Sequence, residues 1–114
     1  MLIKKGEIFL VDLSPTRGSE QSGHRPVLVV QNDIGNEFAP TTIIVPLTTK
    51  SYFESYPVNV NVPKGIAGLK SDSTVLLSQI RAIDKNRLEN KVGRLPESYL
   101  QKVDLAAKVS LGLE

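Results

Sequence analysis

Turn-forming residues interrupt this chain so often between Glu7 and Leu95 that only short strands fit between them. Glu7 to Leu13 is mostly apolar or β-branched and runs into Ser14-Pro15, a strand followed by a turn. Arg17 to His24, with Gly18 and Gly23, reads as a polar loop. Pro26-Val27-Leu28-Val29-Val30 is continuously apolar, which predicts a strand covered on both faces. Asn32 to Asn36 is turn chemistry with room for one helical turn. Thr41 to Thr49 is a β-branched and aliphatic strand holding Pro46, which must sit at an edge or a bulge.

The second half continues in the same style. Tyr52 to Tyr56 reads as an aromatic-rich mobile loop, and Val58 to Val62 alternates as a half-buried strand does. Pro63 to Asp72 is a second long loop, also expected to be mobile. Ser73 to Ile83 reads as one long strand and Leu88 to Leu95 as a shorter one. Helical spacing starts only after Pro96, which suits the first helical position with Glu97 beside it. Leu100, Val103, Ala107 and Leu111 then share a face, and Gly112 stops the run. Six short strands and one terminal helix predict a mainly β, antiparallel barrel with the helix packed outside.

Composition narrows the function classes. At 114 residues, 40% hydrophobic and 23% charged, residues 1–114 are expected to form one globular domain. Cysteine is absent, which excludes disulfides, thiolate metal sites and a cysteine nucleophile, and fits a reducing compartment. With one histidine and scattered carboxylates, no metal site assembles, so neither metal nor other cofactor is expected. No apolar run approaches ~18 residues and Met1 to Lys5 lacks a signal-peptide core, so a soluble cytosolic protein is expected. Fourteen basic against twelve acidic residues leave +2, which permits a nucleic-acid partner without demanding one.

Three segments concentrate chemistry. In Gly18-Ser19-Glu20-Gln21-Ser22-Gly23-His24-Arg25-Pro26, two glycines allow a loop to bend close to a ligand and Pro26 roots Arg25. Arginine offers a planar fork for phosphate, although the segment also reads as a solvated polar loop. Thr48 and Thr49 end an apolar strand, where two hydroxyls could bind phosphate or simply follow the preference of threonine for strands. Ser78, Gln79 and Arg81 interrupt another apolar strand. If Leu77 and Ile83 face the core, alternation sends Gln79 and Arg81 the same way. A twist or bulge must then turn them outward, or they line a polar groove.

Taken together, these segments resemble the MazF/PemK family of toxin endoribonucleases from bacterial toxin–antitoxin modules, over essentially the whole chain. The most specific stretch is Gly18 to Asp33; Lys5-Gly6-Glu7-Ile8, Pro46-Leu47-Thr48-Thr49 and Leu76 to Asp84 are similar to other family segments. The resemblance implies a small SH3-like barrel of the MazF/CcdB kind with a C-terminal helix. It implies a homodimer that cleaves single-stranded RNA or mRNA at a short sequence without metal, leaving 2′,3′-cyclic phosphate and 5′-hydroxyl ends. It implies catalytic roles for Arg25, Thr48 and Glu20, and RNA contacts from Ser19, Gln21, His24, Asn32, Thr49, Gln79 and Arg81. The partner it implies is a cognate antitoxin of the MazE or PemI type, through which operator DNA would be contacted, in the bacterial cytoplasm. Two other classes bear on the same residues. A gyrase-poisoning relative relies on a C-terminal tryptophan that this chain lacks, and an SH3-like nucleic-acid module would bind without cutting.

Overall fold

In a computed structural model that describes residues 2–49 and 57–113, the chain forms seven strands and two α-helices. The strands are β1 (Glu7–Asp12), β2 (His24–Val29), β3 (Thr41–Thr48), β4 (Asn59–Val62), β5 (Ser73–Leu76), β6 (Arg81–Asp84) and β7 (Lys91–Arg94). The helices are α1 (Asp33–Phe38) and α2 (Glu97–Leu111). The sheet runs β4-β5-β3-β2-β1-β7 with every pair antiparallel, and β6 pairs with β3 beside β5. It is a half-barrel with a C-terminal helix. The loop expected at Tyr52 to Tyr56 lies outside the described residues.

The long strand expected over Ser73 to Ile83 is two strands. Ser73 to Leu77 is buried at every position, which strict alternation cannot deliver. A 3₁₀ turn at Leu77–Gln79 resets the phase. Leu77 enters the core under α2, while Ile83 enters the core on the other face of the sheet. β3 therefore pairs with β6 through Thr41 to Ile44 and with β5 through Leu47 and Thr48. Pro46 sits between these two pairings, opposite the break, so the ladder on that side loses no bond to its missing N–H.

Both faces of the sheet are covered. Ile8, Leu28, Val45, Leu47 and Val75 pack under Leu100, Val103 and Ala106 of α2. Phe9, Val11, Val27, Val29 and Ile44 form a second cluster with Ile3, Leu13, Ile83 and Leu88. The apolar run at β2 thus lies in the centre, as its composition predicts. In α2 the buried row is Leu100, Val103 and Ala106, whereas Ala107 is half-buried and Leu111 exposed. A period of 3.6 admits steps of three and four, and the Ser110 hydroxyl donating to the Leu77 carbonyl fixes the row through Ala106. Pro96 is the N-cap rather than the first helical residue, and Gly112 closes the helix in the left-handed conformation.

The two outer strands meet through a loop instead of through pairing. Pro63 to Asp72 is not loose: Gly65 N–H donates to Leu69, Leu69 N–H to Ile66 and Lys64 N–H to the Asp72 carboxylate. Its Leu69 is buried, and Gly68 and Gly93 let its backbone lie directly on β7. A Cβ at Gly93 would stand 2.2 Å from the Ala67 carbonyl oxygen. Gly93→Ala should therefore cost about 1–3 kcal/mol in chemical denaturation through overpacking against backbone; unchanged stability would mean that the loop is not seated there.

The N-terminal segment is fixed to α1. Asn32 caps this helix by accepting from Gly35 N–H, and Asp33 accepts from Lys5 N–H at 2.7 Å. That backbone hydrogen bond holds the Asp33 carboxyl below its ordinary 3.8. A lowered folded-state value contributes stability above 3.8 that is lost as pH falls through it. The deficit of Asp33→Ala, no more than about 1 kcal/mol for an exposed group, should be full near neutral pH and vanish in acid. A deficit that persists unchanged however far the pH is taken below 3.8 would contradict this.

Candidate active site at the end of the sheet

Alternation along β2 places Arg25 on the face of Val27 and Val29. Alternation along β3 places Thr48 on the face of Ile44 and Pro46. The β2–β3 register pairs Val29 with Ile44 and Val27 with Pro46; two residues further it sets Arg25 opposite Thr48. Both thus emerge at one end of the second core cluster, where the apolar row gives way to polar side chains.

Arg25 is half-buried and held from two sides. Its Nε donates to the Ser22 carbonyl at 2.8 Å and one Nη to the Leu47 carbonyl at 3.2 Å. A guanidinium carries five N–H donors, so three remain for an anion. Thr48 is buried beside it at 6% exposure. The two share a hollow with His24, Pro26, Leu47, Thr49 and Ser73.

A second hollow adjoins across Pro46 and Leu47. Ser19, Glu20, Gln21, Gln79 and Arg81 line it, with Leu13, Pro15, Ser78 and Ile80. Gln21 N–H donates to the Gln79 side-chain oxygen at 3.3 Å, which joins the Arg17 to His24 loop to the 3₁₀ turn. Arg81 donates to the Leu13 carbonyl at 3.2 Å. Both options left open for Gln79 and Arg81 are realised, a turn between strands and a polar groove. Glu20 accepts from Arg17 N–H through Oε1 at 2.6 Å and is, among the described residues, the one carboxylate lining either hollow.

One expected residue stands apart. Asn32 follows the opposite end of β2, about 20 Å along the strand from Arg25, and its side chain caps α1. His24 reaches the rim, but its ring nitrogen Nε2 pairs with Glu89 at 2.7 Å. Glu89, in the segment before β7, and Ser73, at the start of β5, are contributions that sequence reading missed: each joins the site from far along the chain, with no local motif to mark it. Thr49 is exposed at the rim. Among the described residues, no three His, Cys, Asp or Glu side chains group as metal ligands, and no helix is long and apolar enough to cross a membrane.

Residues 4–111 match the family described as PemK-like, MazF-like toxin of type II toxin–antitoxin system. Endoribonuclease EndoA of Bacillus subtilis is 46% identical over 113 residues, 99% of this chain and 97% of the relative. Endoribonuclease MazF of Staphylococcus saprophyticus is 42% identical over 112 residues, 98% of this chain and 93% of the relative. A solved endoribonuclease in complex with its cognate antitoxin, from a mycobacterial species, superimposes with a TM-score of 0.83 at 23% identity, covering 98% of this chain and 97% of that one. With full-length relatives above 40% identity and a matching half-barrel, the chain belongs to the family of PemK-like, MazF-like toxins of type II toxin–antitoxin systems.

Proposed function

We propose that this protein is a sequence-specific endoribonuclease that cleaves single-stranded RNA without a metal ion, in the cytoplasm of a bacterium, restrained by a cognate antitoxin. The observation that carries the reading is the anchored Arg25 guanidinium at a register position opposite Thr48. The relatives named endoribonuclease support it.

In the proposed step the ribose 2′-oxygen attacks the adjacent phosphorus and the 5′-oxygen leaves. The products are a 2′,3′-cyclic phosphate and a 5′-hydroxyl. Negative charge grows on the non-bridging oxygens as the fifth bond forms, so donors already in place stabilise the transition state more than the substrate. Arg25 supplies those donors, and its two carbonyl contacts remove the entropy of positioning a long side chain. The Thr48 hydroxyl donates to a phosphate oxygen. Glu20 Oε2 takes the proton of the attacking hydroxyl, directly or through one water. The departing 5′-oxygen takes a proton from water to become the 5′-hydroxyl, and Glu20 returns its proton to solvent. Ser19, Gln21, Gln79 and Arg81 hold the bases and backbone of the flanking nucleotides, with His24 and Thr49 at the rim.

A homodimer is supported by Leu105 and Val109, exposed one turn apart on α2, where a second copy would cover apolar surface. An acidic, partly apolar antitoxin segment would compete with phosphate and base in the two hollows and fold as it binds.

Arg25→Ala and Thr48→Ala should each lower the cleavage rate of a long RNA roughly 10²–10³-fold while folding normally. Cleavage by the parent should persist in excess chelator. Full activity of Arg25→Ala would remove the site assignment, and cleavage that needs added magnesium would remove the metal-free step.

A further inference from the structure

Beyond Thr48 the row of polar side chains continues across two more strands. Thr48 pairs with Thr74 on β5, and Thr74 pairs with Asn61 on the outer strand β4, so all three share one face of the sheet. Thr74 is buried at 4% exposure and donates its hydroxyl hydrogen to Asn61 Oδ1 at 3.0 Å. Asn61 is exposed. Two strand spacings place it about 10 Å from Thr48.

That hydrogen bond decides what Asn61 can recognise. With Oδ1 turned toward Thr74, the amide presents Nδ2 outward with two hydrogens, which have no partner among the described residues. It is a pure donor. Asparagine is also a poor strand former, disfavoured because its side chain competes for backbone hydrogen bonds. Here it stands in a strand whose alternate positions, Val60 and Val62, are buried.

We propose that Asn61 reads a hydrogen-bond acceptor on a nucleotide beside the scissile phosphate, and that Thr74 is the positioning residue that fixes its amide. Single-stranded RNA is read on exposed base edges, and an amide with two free donors selects carbonyl or ring-nitrogen acceptors over exocyclic amino groups. The inference rests on the endoribonuclease reading and assigns that site one more contact.

The test is to sequence the 5′ ends of fragments cut from a long unstructured RNA by the parent chain, Asn61→Asp and Thr74→Val. Asn61→Asp replaces two donors by acceptors, so base preference at one position near the cut should move at least tenfold toward amino-bearing bases. Thr74→Val frees the amide to turn over, so preference at the same position should flatten while the remaining positions hold. Either shift, in a variant whose circular dichroism matches the parent, supports the subsite. A parent that cuts while both folded variants keep its profile overturns the subsite alone. A parent that cuts no RNA overturns the endoribonuclease reading and the subsite with it.

Discussion

The structure depends on β3 having one partner on one side and two on the other. β2 runs along one edge of β3, whereas β6 and then β5 share the opposite edge. The change of partner needs a break in the second ladder, and the 3₁₀ turn at Leu77–Gln79 provides it. Pro46 occupies the place where a backbone donor would find no strand. From this arrangement follow the separation of Leu77 and Ile83 into different cores and the position of Gln79 at the mouth of a hollow. The register opposite β2 then brings Arg25 and Thr48 together.

The architecture supplies a rigid floor for a charged site. Val27 and Val29 are fully buried directly behind Arg25. A guanidinium at the end of such a row does not need a paired carboxylate; two carbonyl oxygens orient it, and no carboxylate among the described residues pairs with it. That is the electrostatic condition for stabilising a phosphorane-like transition state. A carboxylate at the same place would hold Arg25 equally well and cancel its effect on phosphate.

Much of this was legible in the sequence because it is local. The apolar run at Pro26 to Val30, the alternation at Val58 to Val62 and the stop at Gly112 each report their own surroundings. Ser73 to Ile83 read as one strand because nothing local marks a turn there; the break is imposed by β3 across the sheet. The α2 face was misplaced by one residue because Ala106 and Ala107 are chemically alike, and only the contact of Ser110 with Leu77 separates them. Pro63 to Asp72 reads as a loop from its glycines, yet Gly68 serves close backbone approach to β7, which only the fold reveals. Among the candidate residues, Asn32 sits within a recognisable segment but far from Arg25, since neighbours in sequence at opposite ends of a strand are distant in space. Glu89 lies 65 residues from the histidine it pairs with and carries no local signal.

In the proposed step Arg25 and Thr48 act as one unit because the β2–β3 register sets them side by side. A double-mutant cycle on the single-turnover cleavage rate tests it most directly. If the two act together, the Arg25→Ala/Thr48→Ala variant should be barely slower than the worse single variant. Losses that multiply, so that the double variant falls by the product of the two single effects, would show independent contributions and contradict the account.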